Sequence, residues 1–231
     1  MIPLLLVGAG GFARETTELV RAINASEPTW DLLGYLDDDP ALHGRERTGL
    51  TVLGPLRAHE DFPDAKLAVC LGSPRATTLR RTIVDRLALD DERFATLVHP
   101  SVVPPRSVRI GVGTVIHAGS VFTADIEVGR HVEMMPQVVL THDDIVEDFA
   151  TFGAGVRLAG GVRIGESSYI GSGAMVRENI DIGPGALIGM GSVVTRPVPA
   201  GEVWAGVPAR PMPGCSSGAD PVTALRGQSE R

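Results

Sequence analysis

The chain has 231 residues, with 28 Asp and Glu against 21 Lys and Arg for a net charge of −7. That length suits one large domain or two modest ones. A surface of that sign has no basic face to hold a polyanion by counterion release, so nucleic acid is excluded as an expected partner.

The opening run MIPLLLVGAGGFA is too short and too glycine-rich to cross a bilayer, and no basic residue precedes it as a secretory signal would require. A cytoplasmic chain with no membrane partner is expected. Cys70, in an apolar run, and Cys215, in a polar one, lack the spacing of a disulfide framework or a zinc site. The run LLLV ends in Gly8-Ala9-Gly10-Gly11-Phe12-Ala13, a match to G-x-G-x-x-A, and Leu19, Val20 and Ile23 then share one face of a predicted helix. In that setting glycines let the backbone approach a diphosphate while the helix N-terminus supplies N–H donors; the plainer alternative is a turn that only joins strand to helix. A second strand, LLGYLDD, ends in Asp37 and Asp38, where an acid would reach a ribose hydroxyl. KLAVCLG leads through Gly72-Ser73-Pro74-Arg75 into another helix, and FATLVHP is expected to close the unit, giving a first domain over residues 1–98. That is room for one βαβαβ half and not for the six-stranded pair that holds a dinucleotide, which disfavours a nicotinamide oxidoreductase. A nucleoside diphosphate attached to a sugar would satisfy the turn, the two acids and Arg75 together.

From residue 110 a repeat of six takes over. Large apolar residues stand at Ile110, Ile116, Phe122 and every sixth position through Val194, fifteen in unbroken register. At 43% apolar composition, chance gives such a run in one fixed phase roughly three times in a million. Glycine often comes next, as at Gly111, Gly129 and Gly153, and recurs three places after the apolar residue, as at Gly113, Gly155 and Gly161. A period of six fits a short strand followed by a tight turn.

This pattern resembles the hexapeptide-repeat proteins, whose chain winds as a left-handed parallel β-helix with three hexads per coil. On that resemblance residues 99–212 make a prism of five coils, about 24 Å tall at the spacing of paired strands. Its ends would be covered by the preceding domain and by the C-terminal segment. The resemblance implies an acyltransferase more often than a carbonic anhydrase or an assembly protein. Together, GAGGFA, YLDDDP and LVHPS leading into the repeat resemble the sugar acyltransferase family of sialic acid O-acetyltransferases and UDP-4-amino-sugar N-acetyltransferases, over residues 2–212.

That resemblance implies a homotrimer, acetyl-CoA in a groove between adjacent β-helices, no metal, and a nucleotide-sugar whose pocket is lined by Gly10, Gly11, Phe12, Asp37, Asp38 and Gly72. The family's base, a histidine followed by an acid, matches His142-Asp143 in Val138-Val139-Leu140-Thr141-His142-Asp143. Thr151, Gly160, Ser172 and Met190 would border acetyl-CoA, with the Gly160 backbone N–H a candidate to steady an oxyanion. Trp204-Ala205-Gly206-Val207-Pro208-Ala209-Arg210 resembles the segment that closes such enzymes near the CoA tail. The expected activity is acetylation of an amino group on a nucleotide-linked sugar.

His142 falls two places after the inward Leu140, so it is expected at a corner, pointing outward and within reach of a neighbouring subunit. An imidazole, with an ordinary pKa near about 6.5, is largely neutral at cytoplasmic pH, and an adjacent carboxylate fixes its tautomer. The alternative is a solvated corner residue. Taken modulo 18, His117, His131 and His142 lie on three different edges, so they form no metal site within one subunit. Their spacings do not fit a γ-type carbonic anhydrase either, and His43, His59 and His99 are expected to be structural or exposed. Three positions depart from the family. Met135, Glu147 and Thr151 stand where relatives commonly carry asparagine, glycine and histidine, and they are expected beside the base. They leave room for a sugar O-acetyltransferase, or for a binding or assembly protein that keeps the pocket without catalysis. Residues 213–231 are polar and turn-rich, and a mobile tail is expected there.

Overall fold

Leu4, Leu5, Leu6 and Val7 form a continuous apolar run, the pattern of a strand covered on both faces. In the computed structural model of the protein, which describes residues 1–216, they lie fully buried in strand β1 (Ile2–Val7). Helix α1 (Gly11–Ser26) follows, burying Phe12, Ala13, Thr16, Thr17, Leu19 and Val20 along one stripe. Then come β2 (Trp30–Leu36), β3 (Glu46–Arg47), β4 (Leu50–Gly54), β5 (Lys66–Val69) and α2 (Leu79–Leu87). The sheet order is β3-β4-β2-β1-β5, parallel except for the β3–β4 hairpin. Because β1 pairs with β2 on one side and β5 on the other, the sheet's topological switch point lies at the C-terminal end of β1, where the glycine turn stands. Open α/β sheets bind ligands at that place.

The segment FATLVHP divides itself between the two parts of the molecule. Phe94 bridges Leu67 of β5, but β6 (Leu97–Val98) pairs with Val115–Ile116 and is already a strand of the β-helix. The two units therefore meet at residues 95–97 instead of dividing after residue 98.

Each expected hexad forms a two-residue strand, and the fifteen strands stack into three faces of a left-handed prism. Face I holds Arg109–Ile110, Glu127–Val128, Ile145–Val146, Arg163–Ile164 and Asp181–Ile182. Face II holds Val115–Ile116, Glu133–Met134, Thr151–Phe152, Tyr169–Ile170 and Leu187–Ile188. Face III holds Val121–Phe122, Val139–Leu140, Arg157–Leu158, Met175–Val176 and Val193–Val194. The second residue of each pair points into the core. Three residues beyond that inward residue the backbone turns with positive φ at every corner from 113 to 191, seven times at glycine and seven times at Asp125, His131, Gln137, Asp143, Phe149, Ser167 and Asn179. A left-handed conformation costs a non-glycine residue roughly 1–2 kcal/mol, least for Asp and Asn, so these corners are held by the coils above and below them.

Glu202–Gly206 adds in parallel to Leu187–Ile188 and brings Trp204 over the core, where it is 7% exposed. Ala209–Ser216 returns antiparallel to Glu202–Gly206. The expected tail thus begins too early at 213: the backbone is paired through Ser216, and the rest of that tail, 217–231, lies outside the described residues. Cys70 is a buried free thiol. Among the described residues no helix is long and apolar enough to cross a membrane.

The N-terminal domain sits on face II, and its anchor is Arg80 of α2. Arg80, 2% exposed, donates to the carbonyls of His131 (2.7 Å), Phe149 (2.7 Å) and Ala150 (3.0 Å), to Thr151 Oγ1 (2.9 Å) and to Leu71 O (2.9 Å). It also pairs at 2.5 Å with Glu133, itself 1% exposed. Beside it His131 lies parallel to Phe149 at 5.3 Å and edge-on to Phe94 at 4.7 Å. Burial holds that imidazole down to about 4, so it is neutral.

Candidate active site

The site builds from the corner between faces III and I. After Val139–Leu140 the chain must turn, and Asp143 takes the left-handed conformation there, φ 62°. His142 and Asp143 stand outside the prism, 68% and 67% exposed, with His142 Nδ1 2.8 Å from Asp143 Oδ2. In the neutral ring the Nδ1–H donates to that carboxylate, which leaves the Nε2 lone pair free toward solvent. One coil later Gly160 lies directly beneath: a Cβ on it would overlap the His142 ring. His142 O accepts from Gly161 N–H at 2.9 Å, so the histidine backbone is tied to the same coil. The arrangement is a fixed imidazole with one nitrogen buttressed and the other able to take a proton.

Gly160, expected to border a ligand, therefore serves first as the platform for this ring. Gly160→Ala is expected to displace the imidazole without backbone strain, lowering kcat at least about tenfold while leaving the melting temperature within about 2 °C. Steady-state kinetics alongside calorimetry check both.

At the switch point Gly10 and Gly11 are exposed at the start of α1, with Gly10 as its extended N-cap. Phe12 turns inward, edge-on to His117 at 5.2 Å, and so rests the glycine turn on the β-helix. Burial lowers the His117 imidazole to about 4. Asp37 and Asp38 stand beside the turn as expected from their place after β2, but both carboxylates are engaged by the protein. Asp37 accepts from Ala9 N–H (2.9 Å) and Asp39 N–H (3.0 Å), which makes it the clasp of the glycine turn. Asp38 accepts from Leu56 N–H (2.8 Å) and pairs with Arg86 (2.5 Å). Partial burial works to raise the Asp38 pKa, but Arg86 and the Leu56 N–H hold it below the ordinary carboxylate value. A cleft of about 310 Å³ opens beside it, lined by Pro55, Leu56, Arg57, His59 and Arg86. Gly72 is exposed on one side and abuts Glu133 of face II on the other; a Cβ there would overlap the Glu133 carboxylate. Arg75 is exposed on the same loop.

The three departures from the family do not gather beside His142 within this chain. Met135 follows Glu133–Met134 on face II and packs with the Phe12 cluster. Glu147 leaves face I, pairs with Arg163 and accepts from Glu166 N–H at 2.9 Å. Thr151 is 9% exposed, and its hydroxyl is taken by Arg80, so in this chain it belongs to the seam between the two parts and not to a ligand surface. Ser172 and Met190, both exposed, lie on the corner between faces II and III, one coil apart. They flank one edge of face III while His142 and Gly160 flank the other. The sequence reading missed Arg80 and Glu133. The signal available for them was a charged residue, Glu133, in an outward position beside an otherwise uncharged stretch, together with an arginine on the apolar side of α2. Among the described residues no group of three His, Cys, Asp or Glu side chains is placed to hold a metal ion.

Comparison with known proteins gives the same two parts. The family described as "PglD N-terminal domain" matches residues 3–87, and "Bacterial transferase hexapeptide (six repeats)" matches residues 161–196. The GDP-perosamine N-acetyltransferase of Escherichia coli O157:H7 is 31% identical over 169 residues, 71% of this chain and 73% of that protein. The UDP-N-acetylbacillosamine N-acetyltransferase of Bacillus subtilis (strain 168) is 32% identical over 117 residues, 49% of this chain, and the match spans half of that protein's length. Among solved structures, a histidine-to-asparagine variant of perosamine N-acetyltransferase from Caulobacter crescentus, bound to CoA and GDP-perosamine, superposes with a TM-score of 0.80 at 28% identity, covering 91% of this chain and 96% of that one. The acetyltransferase domain of PglB from Neisseria gonorrhoeae FA1090 with acetyl coenzyme A also gives 0.80 at 28% identity, covering 91% and 99%. With a shared domain order, a shared fold and a relative matched over most of both chains, this chain belongs to the hexapeptide-repeat family of nucleotide-amino-sugar N-acetyltransferases that carry a PglD-type N-terminal domain.

Proposed function

We infer that the protein is an acetyl-CoA-dependent N-acetyltransferase acting on an amino group of a nucleotide-linked sugar, with His142 as general base and Asp143 as its partner. The observation that carries this reading is the His142–Asp143 pair, which leaves Nε2 free on an exposed corner. The relatives named above are N-acetyltransferases of perosamine and bacillosamine derivatives, which favours an amine over a hydroxyl as acceptor. In the reaction the neutral amine attacks the thioester carbonyl carbon, His142 Nε2 takes the proton the nitrogen sheds, the C–S bond breaks, and the CoA thiolate leaves to be protonated. Nδ1–H, held by Asp143, stabilises the imidazolium as it forms. Gly10, Gly11 and the start of α1 would receive the diphosphate, with the cleft beside Asp38 next to them for the nucleoside. We place the reaction in the cytoplasm, with no metal.

The active unit is a homotrimer. The outward positions of face III are Val121, Val139, Arg157, Met175 and Val193, four of the five apolar, with Val121 at 48% and Met175 at 49% exposure. With face III turned toward a threefold axis, the His142 edge of one copy meets the Ser172–Met190 edge of the next, and each groove between copies receives its base from one side and its acetyl-CoA contacts from the other. Met175→Glu is expected to shift the sedimentation coefficient from trimer to monomer and to abolish turnover.

Binding tests the reading before chemistry does. Acetyl-CoA should give a saturable calorimetric isotherm, and among UDP-, GDP- and dTDP-linked amino-sugars one nucleotide series should raise the melting temperature, since ligands that bind only the native state stabilise it. No heat with acetyl-CoA would instead indicate a binding protein that has lost catalysis.

A further inference from the structure

The β-helix has a second inward register. Two residues before each inward apolar position from Ile116 to Val194 stand Thr114, Ser120, Ile126, Val132, Val138, Asp144, Ala150, Val156, Val162, Ser168, Ala174, Ile180, Ala186 and Ser192, all buried. Thirteen of these fourteen are aliphatic or carry a single hydroxyl. The exception is Asp144, 0% exposed and two residues from His142.

A carboxylate at such a position is costly unless it is fully used, and this one is. Asp144 Oδ2 accepts from Thr141 N–H at 2.8 Å, and Oδ1 accepts from Val162 N–H of the next coil at 2.9 Å. The first of these bonds removes Thr141 from the strand ladder. At the position one coil later, Ala159 N–H donates to Val176 O at 3.0 Å, and Arg177 N–H to Val194 O likewise. Thr141 N–H is turned toward Asp144 instead, and Leu158 O is met at 3.2 Å by the Thr141 hydroxyl. Val139–Leu140 consequently pairs with Arg157–Leu158 through Val139 and Arg157 alone, whereas Arg157–Leu158 pairs with Met175–Val176 through both residues. No residue is inserted and the 18-residue register is kept, but a ladder bond given up at a corner alters the local turn, as β-bulges do where they re-aim a side chain beside a site. Here the residue re-aimed is His142, which sits between the two ends of the Thr141–Asp144 bond.

We propose that Asp144 is a positioning residue for the reaction: by drawing Thr141 out of the ladder it sets the turn that lays the His142 ring over Gly160 with Nδ1 on Asp143. This rests on the reading of His142 as the base. Asp144 does not touch the reacting atoms; it acts through His142.

The test is a double-variant cycle. Asp144→Val puts the register's own aliphatic residue in place, as at Val138 and Val162, and lets Thr141 rejoin the ladder. The expected result is a kcat at least tenfold lower, KM for acetyl-CoA and for the nucleotide-sugar within twofold, and the trimer intact. Asp144→Ser, matching Ser120 and Ser168, gives the same measurement should the valine variant not fold. Because Asp144 acts through His142, adding either substitution to His142→Ala should lower the residual rate by less than twofold. A kcat within twofold of wild type in the single variant overturns the proposal, and so does a full tenfold further loss on top of His142→Ala, which would make Asp144 independent of the histidine. If His142→Ala itself keeps wild-type activity, the assignment of the base has failed instead, and the two failures are separate readouts.

Discussion

Replacing His142 by alanine is expected to lower kcat at least a hundredfold, within the span of about 10² to 10⁴ that a positioned general base contributes. The melting temperature should stay within about 2 °C of wild type, because the side chain is 68% exposed and its hydrogen bond to Asp143 is made in solvent. KM for acetyl-CoA should change little, since the imidazole's contribution is realised when the amine gives up its proton and not when the thioester binds. The loss should also be recoverable in part by added imidazole or by raising the pH, both of which supply the missing base. A histidine that only decorated a solvated corner would show neither the loss nor the rescue.

The second large effect belongs to the seam. Arg80→Met removes the guanidinium that five oxygen acceptors and the Glu133 carboxylate share, and it leaves Glu133 buried without a counter-charge. Breaking a buried pair from one side costs about 3–5 kcal/mol, which for a chain of this size is a fall in melting temperature of roughly 10 °C. The loss should depend on pH with a definite sign. Burial pushes the Glu133 carboxyl up, to about 7, against the pull of Arg80, and without Arg80 the carboxyl rises further. A raised folded-state pKa means that the folded protein holds a proton the unfolded chain has released. Against wild type, whose Glu133 is already raised to about 7, the deficit is smallest below that value, where both folded proteins hold the proton, and grows as pH rises from about 7 through the variant's higher folded value. Melting curves at pH 5 and pH 8 should show the larger deficit at pH 8. Arg80→Met/Glu133→Gln should remove that pH dependence and recover part of the stability, because no buried charge is then left unpaired.

Most of the architecture was legible because it is written in periods. Fifteen apolar residues six apart became fifteen strands, and the glycines three places on marked the corners at which the backbone turns left-handed. His142 was legible for the same reason: its phase against Leu140 places it outside the prism. What the sequence hid was set by contacts between segments far apart along the chain. Asp37 and Asp38 follow a strand as ligand-binding acids do, yet their partners Ala9, Leu56 and Arg86 lie up to 48 residues away, and no local pattern announces those bonds. Met135, Glu147 and Thr151 are close in sequence to His142, but a coil of 18 residues sends neighbours in sequence to different faces of one chain. Leu97–Val98 reads as the last strand of an α/β unit because a strand of that composition fits either sheet. Its pairing with Val115–Ile116 follows from where the chain leaves Phe94.

Acetyl transfer to an amine at the His142 corner is the claim on which the rest depends, and CoA release measures it directly. With acetyl-CoA and matched GDP- or UDP-linked sugars carrying either an amino or a hydroxyl group at the same carbon, the account predicts saturable thiol release with an amino-sugar only. Each CoA freed should correspond to one N-acetylated product by mass spectrometry. Equal release with the hydroxyl sugars, or none with any amino-sugar despite measurable acetyl-CoA binding, would contradict it.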